Sequence, residues 1–430
     1  MATALDKLKA SLSSKWNDGR TVFMANDIAD KGVVSSGSLC LDYMTGIFGI
    51  PRDCVIELAG KPGVSKTTMS ICIIENVLEL ELERARMYQR VEKATKDGKL
   101  TNDDKQWFLD KGWNKQVADL HVFGNDWQND ILDNYELDAK HEKQAFDMSR
   151  GALYLDLEGR FSREWASKYI RPEFMDKLIV VRNDTIETAT DAYVDALRSG
   201  AIAIAILDSV GGAPTDRTFW KSAQIGNVGG NALGMSRFSQ FAENMSSKYT
   251  CLTIGINQVR DDMSGYNQLI TPGGNAWKHA CSLRIELKRK KSEVVWDVEE
   301  GTKESMYECG FLVHARLHKN SVGRSGQACQ FWFYTNDCRL GKAGFDRARE
   351  IVNLAVLSNV VEKGNAGYYR YDAFPNGRIH GYDATVTFFL EHKDAYDELY
   401  KQMKERLQHG GIDGATEAFE VATGMNVDEG

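Results

Sequence analysis

Short runs of unbroken apolar residues recur along the chain, and the stretches between them carry apolar residues three and four positions apart. The runs at 55–59, 152–158, 178–181, 201–208 and 252–258 predict strands that are apolar along their length and so buried on both faces. The stretches at 69–78, 162–169, 185–198 and 235–246 predict helices. Strand and helix in alternation predict a largely parallel sheet covered on both sides, an α/β fold. Ahead of this pattern, Leu5, Leu8, Leu12 and Trp16 predict a short amphipathic helix. Residues 83–149 break the rhythm: they are strongly charged, with Trp107, Trp113 and Trp127 dispersed among the charges. Thr101-Asn-Asp-Asp104 reads as a helix cap before Trp107, so this segment predicts a mostly helical insertion whose charges form a solvated face.

Composition narrows the setting. A hydrophobic fraction of 43% over 430 residues suits a folded protein with one large domain and a smaller one. No run of eighteen apolar residues occurs and the first residues lack a leader's apolar core, so neither a membrane span nor a secretory signal is expected. Eight cysteines, scattered through apolar runs without a C-x-x-C pair, read as small core residues in a reducing compartment, which points to the cytoplasm. The net charge of −8 argues against a surface that coats nucleic acid as a whole, but a local basic groove is compatible with it.

The first apolar run ends in a loop with recognisable chemistry. Gly60, Lys61, Pro62, Gly63, Val64, Ser65, Lys66, Thr67 and Thr68 carry the chain from strand to helix. This order suits a nucleotide phosphate site: backbone N–H groups cradle the phosphates, Lys66 reaches the β and γ oxygens, and the Thr67 hydroxyl ligates Mg²⁺. Ser65 stands where the motif has its second glycine, and an ordinary strand-to-helix turn ending in Lys-Thr remains the plainer reading of the loop alone.

Further carboxylates and amides gather at the ends of the other predicted strands, the edge at which open α/β sheets bind ligands. Asp208 supplies the second half of a Mg·ATP site, Glu158 is the candidate to orient and polarise an attacking water, and Gln258 can sense a γ-phosphate. Two glycine-bearing segments, 219–234 and 259–272, lie beside these ends, as either backbone-tracking nucleic-acid loops or substrate lids. The cluster Lys288-Arg-Lys-Lys291 reads first as a solvated face.

In this order the motifs resemble those of the bacterial RecA recombinase family, in the manner of a phage-type, UvsX-like member. The resemblance rests on the segments at 34–42, 60–68, 155–158, 191–200, 206–210, 256–260, 272–278, 349–357 and 362–371, and spans nearly the whole chain apart from the insertion. It implies a RecA-type P-loop ATPase core at 34–338, an N-terminal polymerisation helix and linker at 1–33, and a small α+β C-terminal domain and tail at 339–430. It also implies that Glu158 is the catalytic glutamate and Gln258 the γ-phosphate sensor. Trp165 would stack on adenine, with Tyr334 as a second adenine contact. Lys319 would reach the neighbouring subunit's ATP. The segments 219–234 and 259–272 would be the DNA-binding loops, with Arg237, Arg260, Gly273 and Gly274 at DNA.

The function so implied is a DNA-dependent ATPase that uses ATP and Mg²⁺, forms helical filaments on single-stranded DNA and pairs it with double-stranded DNA. Mediator or single-strand-binding proteins are the implied protein partners, with no membrane association, in the cytoplasm of the bacterial host if the protein is phage-encoded. Alternatives are a hexameric RecA-fold helicase and an ATP-binding filament scaffold with little hydrolysis. Ser65, and Ser321 where a second basic residue is expected near Lys319, bear on hydrolysis rate, with Arg324 as the candidate replacement.

Overall fold

The computed structural model describes residues 32–101, 135–212, 214–215, 230–260, 270–298, 306–338 and 341–408, together with Ser11. Most of the predicted N-terminal helix, all three insertion tryptophans, most of the two candidate DNA loops and the tail from 409 lie outside these residues.

The described chain opens with Val33–Val34 (β1), a short helix Leu39–Met44 (α1) and Ile50–Pro51 (β2), which pairs antiparallel with β1. Val55–Gly60 (β3), buried throughout, leads through the loop into Lys66–Lys96 (α2), a single helix of 31 residues. After the undescribed stretch, Ala139–Met148 (α3) lies against α2, where the Arg86 guanidinium bonds Glu142 at 2.8 Å. There follow Gly151–Asp156 (β4), Arg163–Ala166 (α4), Pro172–Met175 (α5), Leu178–Arg182 (β5), Ile186–Arg198 (α6) and Ile202–Asp208 (β6). Gly230–Tyr249 (α7), Leu252–Gln258 (β7) and Gly274–Ala280 (α8) complete the alternation. The strands Cys281–Val298 (β8), Met306–Asn320 (β9), Ala328–Tyr334 (β10) and Gly344–Phe345 (β11) then fold back on one another.

These strands form one nine-stranded sheet in the order β11-β10-β9-β8-β3-β7-β6-β4-β5. From β8 to β5 every neighbouring pair is parallel, whereas β8 to β11 pair antiparallel. The largely parallel sheet predicted from the apolar runs is therefore present. Alternation of side chains explains why those runs are apolar throughout: Leu153 and Leu155 point into one core with α6 and α7, while Ala152 and Tyr154 point into the other with α2.

Past residue 338 the chain first adds β11 to this sheet. It then forms Arg347–Leu357 (α9), the antiparallel strands Glu362–Lys363 (β12), Tyr368–Arg370 (β13) and Arg378–His380 (β14), and the helices Tyr382–Glu391 (α10) and Lys393–Gln408 (α11). Glu350 on α9 ties this part to the start of the core: its carboxylate accepts from the Ser38 hydroxyl at 2.7 Å and from the N–H groups of Leu39 and Cys40 at 2.9 and 2.8 Å. Six of the eight cysteines are buried and all are free. No helix among the described residues is long and apolar enough to cross a membrane.

One expectation needs correcting. The charged stretch beginning at Glu83 opens helical, as expected, with α2 continuing to Lys96, but its charges do not all lie on a solvated face: Arg84 is buried, as is Gln89. Just before it, Glu81 is 4% exposed and accepts from Arg52 and from Nε and Nη2 of Arg150, the latter two at 2.8 Å. Arg150 also donates to the carbonyls of Tyr249 and Thr250 at 3.0 Å. Arg52, Arg150 and Thr250 lie just before β3, β4 and β7, so this cluster fastens α2 to the edge of the sheet where its parallel strands begin. Burial alone would raise the Glu81 pKa, but Arg150, Arg52 and Arg84 together push it down to about 2.

Candidate nucleotide site at the strand tips

At the opposite edge, β3 delivers Gly60 into a space with no room for a side chain, since a Cβ there would lie 2.6 Å from the Leu287 carbonyl oxygen. The loop then turns through Gly63, at φ +81°, and Ser65, at φ 58° and ψ 30°. Ser65 thus occupies the left-handed conformation that favours glycine, at a cost of about 1–2 kcal/mol for an L-residue. The sequence departs from the motif here, and the backbone does not. Lys66 is 8% exposed, and its ammonium donates to the carbonyls of Gly60 at 2.8 Å and Lys61 at 3.0 Å. Burial pulls its pKa down, against the opposing pull of Asp208 and Glu158.

The next residue faces the tip of β6. Thr67 Oγ1 donates to Asp208 Oδ2 at 3.2 Å, and the Tyr154 hydroxyl donates to the same oxygen at 2.6 Å. Burial raises the Asp208 pKa, and Glu158 and Asp156 add to the rise, while the bonds from Tyr154 and Thr67 oppose it. Glu158, half-buried after β4, accepts from the Ser209 hydroxyl and has Arg160 Nη1 3.4 Å from its outer oxygen. Asp156 is turned to structural use, accepting from the N–H groups of Arg160 and Phe161 at 3.0 Å. A hydroxyl and a half-buried carboxylate, both oxygen donors, meet at the head of α2; they fit Mg²⁺ shared with phosphate and water oxygens rather than caged by protein alone.

Gln258 stands beside the loop, paired in register with Gly60, and is exposed. Below it, the Asn257 amide donates to Glu57 at 2.7 Å and to the Pro272 carbonyl at 2.9 Å, while its oxygen accepts from the Gln258 N–H at 2.9 Å. Glu57 is fully buried and also accepts from Trp277 Nε1 at 3.1 Å and Arg284 Nε at 2.6 Å. The tip of β7 is thereby wired to the end of the second candidate loop. Arg260 is exposed and its N–H bonds the Ile270 carbonyl at 2.9 Å, closing the base of that loop; 261–269 lie outside the described residues. Gly273, at φ +101°, and Gly274 lead into α8, and Gly211, just after β6, packs against Pro272 at the end of the second candidate loop, with Gly212 next to Glu158. Arg237 is exposed on α7 beyond the undescribed 216–229.

Three residues complete the inventory. Trp165, on α4, is half-buried and meets Tyr169 edge-on at 5.7 Å. Tyr334 is not brought to the site: it is 1% exposed, its ring is enclosed by Gly310 and Gly341, and its hydroxyl donates to Asp346 at 2.7 Å. It is a core residue here, because β10 turns that face inward; of the positions after it, Thr335 and Asn336 are half-buried and Asp337 is exposed. Indeed Tyr169 donates to the Thr335 carbonyl at 2.8 Å and Lys168 to Asn336 at 3.2 Å. Lys319 lies away from the loop and donates to the last carbonyls of α8, Lys278 and His279, at 3.1 and 2.8 Å. Ser321 and Arg324 are exposed in the turn after it. Sequence reasoning missed Tyr154, Ser209 and Asn257; a tyrosine two residues before the strand-end Asp156 was the available signal for the first.

A family model described as the RecA N-terminal domain matches residues 142–318. Proteins named Protein RecA are similar over most of their length. That of Cytophaga hutchinsonii is 23% identical over 97% of this chain and 95% of its own; that of Clostridium acetobutylicum is 24% identical over 94% and 91%. That of Ruminococcus albus is 25% identical over 93% of this chain and 79% of its own.

Proposed function

Because this chain belongs to the RecA family, we infer that it is a homologous DNA recombinase that hydrolyses ATP, forms filaments on single-stranded DNA and exchanges strands with duplex DNA in recombination and repair. The observation that carries this reading is the convergence of Thr67 and Asp208 at 3.2 Å, with Glu158 and Gln258 at the ends of neighbouring strands.

In this reading the loop N–H groups and Lys66 bind the phosphates, and Lys66 exchanges the Gly60 and Lys61 carbonyls for phosphate oxygens. Thr67 and Asp208 would hold Mg²⁺, which supplies charge neutralisation at the β and γ phosphates. Glu158 orients the attacking water and accepts its proton, with Ser209 fixing one carboxylate oxygen. Gln258 reports the γ-phosphate through Asn257 to Pro272, which supports ATP-dependent ordering of the second loop at DNA. Arg237, Arg260, Gly273 and Gly274 serve DNA, Trp165 serves the adenine, and Lys319 acts on a neighbouring subunit's nucleotide after leaving α8. The core at 34–338, the N-terminal arm and the small C-terminal domain divide this work, in a bacterial cytoplasm.

ATP turnover measured with and without single-stranded DNA, alongside joint-molecule formation, tests the proposal. Stimulated turnover and ATP-dependent pairing are expected. ATP binding without turnover would instead identify a filament scaffold, and duplex unwinding by closed rings a helicase.

A further inference from the structure

Tyr154 carries a polar group into an otherwise apolar stretch of β4. It is 1% exposed, it packs on Phe161 with ring centroids 5.0 Å apart, and it pairs in register with Ile206. Asp208 is therefore its diagonal neighbour on the same face of β6, within reach of an aromatic side chain. A carboxylate oxygen only accepts, which fixes the direction of the 2.6 Å bond: tyrosine donates and Asp208 Oδ2 accepts. The same oxygen takes the longer bond from Thr67. If Thr67 turns its hydroxyl oxygen to a cation, the bond from Tyr154 remains to hold the carboxylate. A carboxylate without such a tether samples other rotamers, and a metal site then has to select among them.

We propose that Tyr154 is a positioning residue for the metal-side carboxylate, its hydroxyl presetting Asp208 for Mg²⁺–nucleotide. The proposal rests on the nucleotide reading of this site. Tyr154 works through Asp208 and touches neither phosphate nor water in this role. Phenylalanine preserves the ring and its contact with Phe161 and removes one oxygen, so Tyr154→Phe isolates the bond.

The experiment titrates Mg²⁺ into the full-length protein with a fluorescent ATP analogue that is not hydrolysed, and measures binding of the same analogue without metal. In Tyr154→Phe the Mg²⁺ concentration for half-maximal binding should rise about tenfold, the size of one hydrogen bond to a charged acceptor. Metal-free binding should stay within about twofold of wild type, which a general loss of structure would not allow. In an Asp208→Asn background, adding Tyr154→Phe should shift the Mg²⁺ requirement no further. An unchanged Mg²⁺ requirement in Tyr154→Phe, or full additivity with Asp208→Asn, overturns the proposal while leaving the nucleotide site standing. A wild-type protein whose nucleotide binding ignores Mg²⁺ overturns the site reading and this proposal together.

Discussion

Glu81 is a buried carboxylate and Asp208 a half-buried one, at opposite edges of the same parallel strands, and the chain treats them in opposite ways. Around Glu81 it supplies its own cations, Arg52, Arg84 and Arg150, and the acid is held far below its ordinary pKa. Around Asp208 it supplies two neutral hydroxyls and two further carboxylates, and burial leaves the acid above its ordinary pKa. One edge is electrostatically finished, which makes it scaffold. At the other, the hydrogen-bond partners of Asp208 are neutral hydroxyls, while Lys66 stands nearby and Arg160 and Arg182 face its companion carboxylates, and that suits a cation brought by a ligand. A charged side chain alone does not reveal which kind it is; its neighbours across the sheet do.

The strongest way to break this contrast is to remove charge at the finished edge. Glu81→Gln leaves the Arg150 and Arg52 guanidiniums buried beside a neutral amide and should cost about 3–5 kcal/mol, read as a large fall in the denaturant midpoint. A midpoint near wild type would mean that the cluster is not structural. Acid should do the same without mutation. A carboxylate whose folded pKa of about 2 lies below its ordinary 4.5 contributes stability that is full above that ordinary value. It is lost as pH falls toward 2, so a stability–pH profile should decline across that window, and the decline should be shallower in Glu81→Gln.

At the other edge the sign reverses. Asp208→Asn keeps an acceptor for Tyr154 and Thr67 and removes a charge that burial disfavours. Melting temperature should hold or rise, by an amount equivalent to about 1 kcal/mol, while Mg²⁺-dependent nucleotide binding weakens at least tenfold. A destabilised protein with normal metal dependence would place Asp208 with Glu81 among the structural acids. The smallest effect is expected at Ser65. Glycine relieves the left-handed backbone but adds freedom to the unfolded chain, so Ser65→Gly should change stability by less than about 1 kcal/mol and keep nucleotide binding, as calorimetry would show.

The finished edge was also the harder one to read from sequence. The apolar strands and the loop at 60–68 were legible because burial on two faces and phosphate binding each impose a local pattern. Asp208, Glu158 and Gln258 were legible because they close such strands. Glu81 was not: it sits among alternating Glu and Leu at 79–83, and its partners lie 29 and 69 positions away. The same distance hid the burial along the second half of α2, since charges that pair in the interior look in sequence like charges in water. Tyr334 shows the converse case, a residue type suited to adenine whose side chain β10 turns inward toward Asp346. Ser65 reads as a defect in sequence, yet the loop keeps its left-handed turn.

Helix α2 has a mechanical consequence. The clamp at Glu81 falls at its midpoint, with fifteen residues back to Lys66 and fifteen on to Lys96, or about 22 Å on either side at the usual rise. The helix carries buried residues from Lys66 to Ala94, so it is a stiff rod seated along its length and not only at the clamp. It links the loop at one edge of the sheet to a point beyond the other in one piece, and its far end is where the chain leaves for residues 102–134.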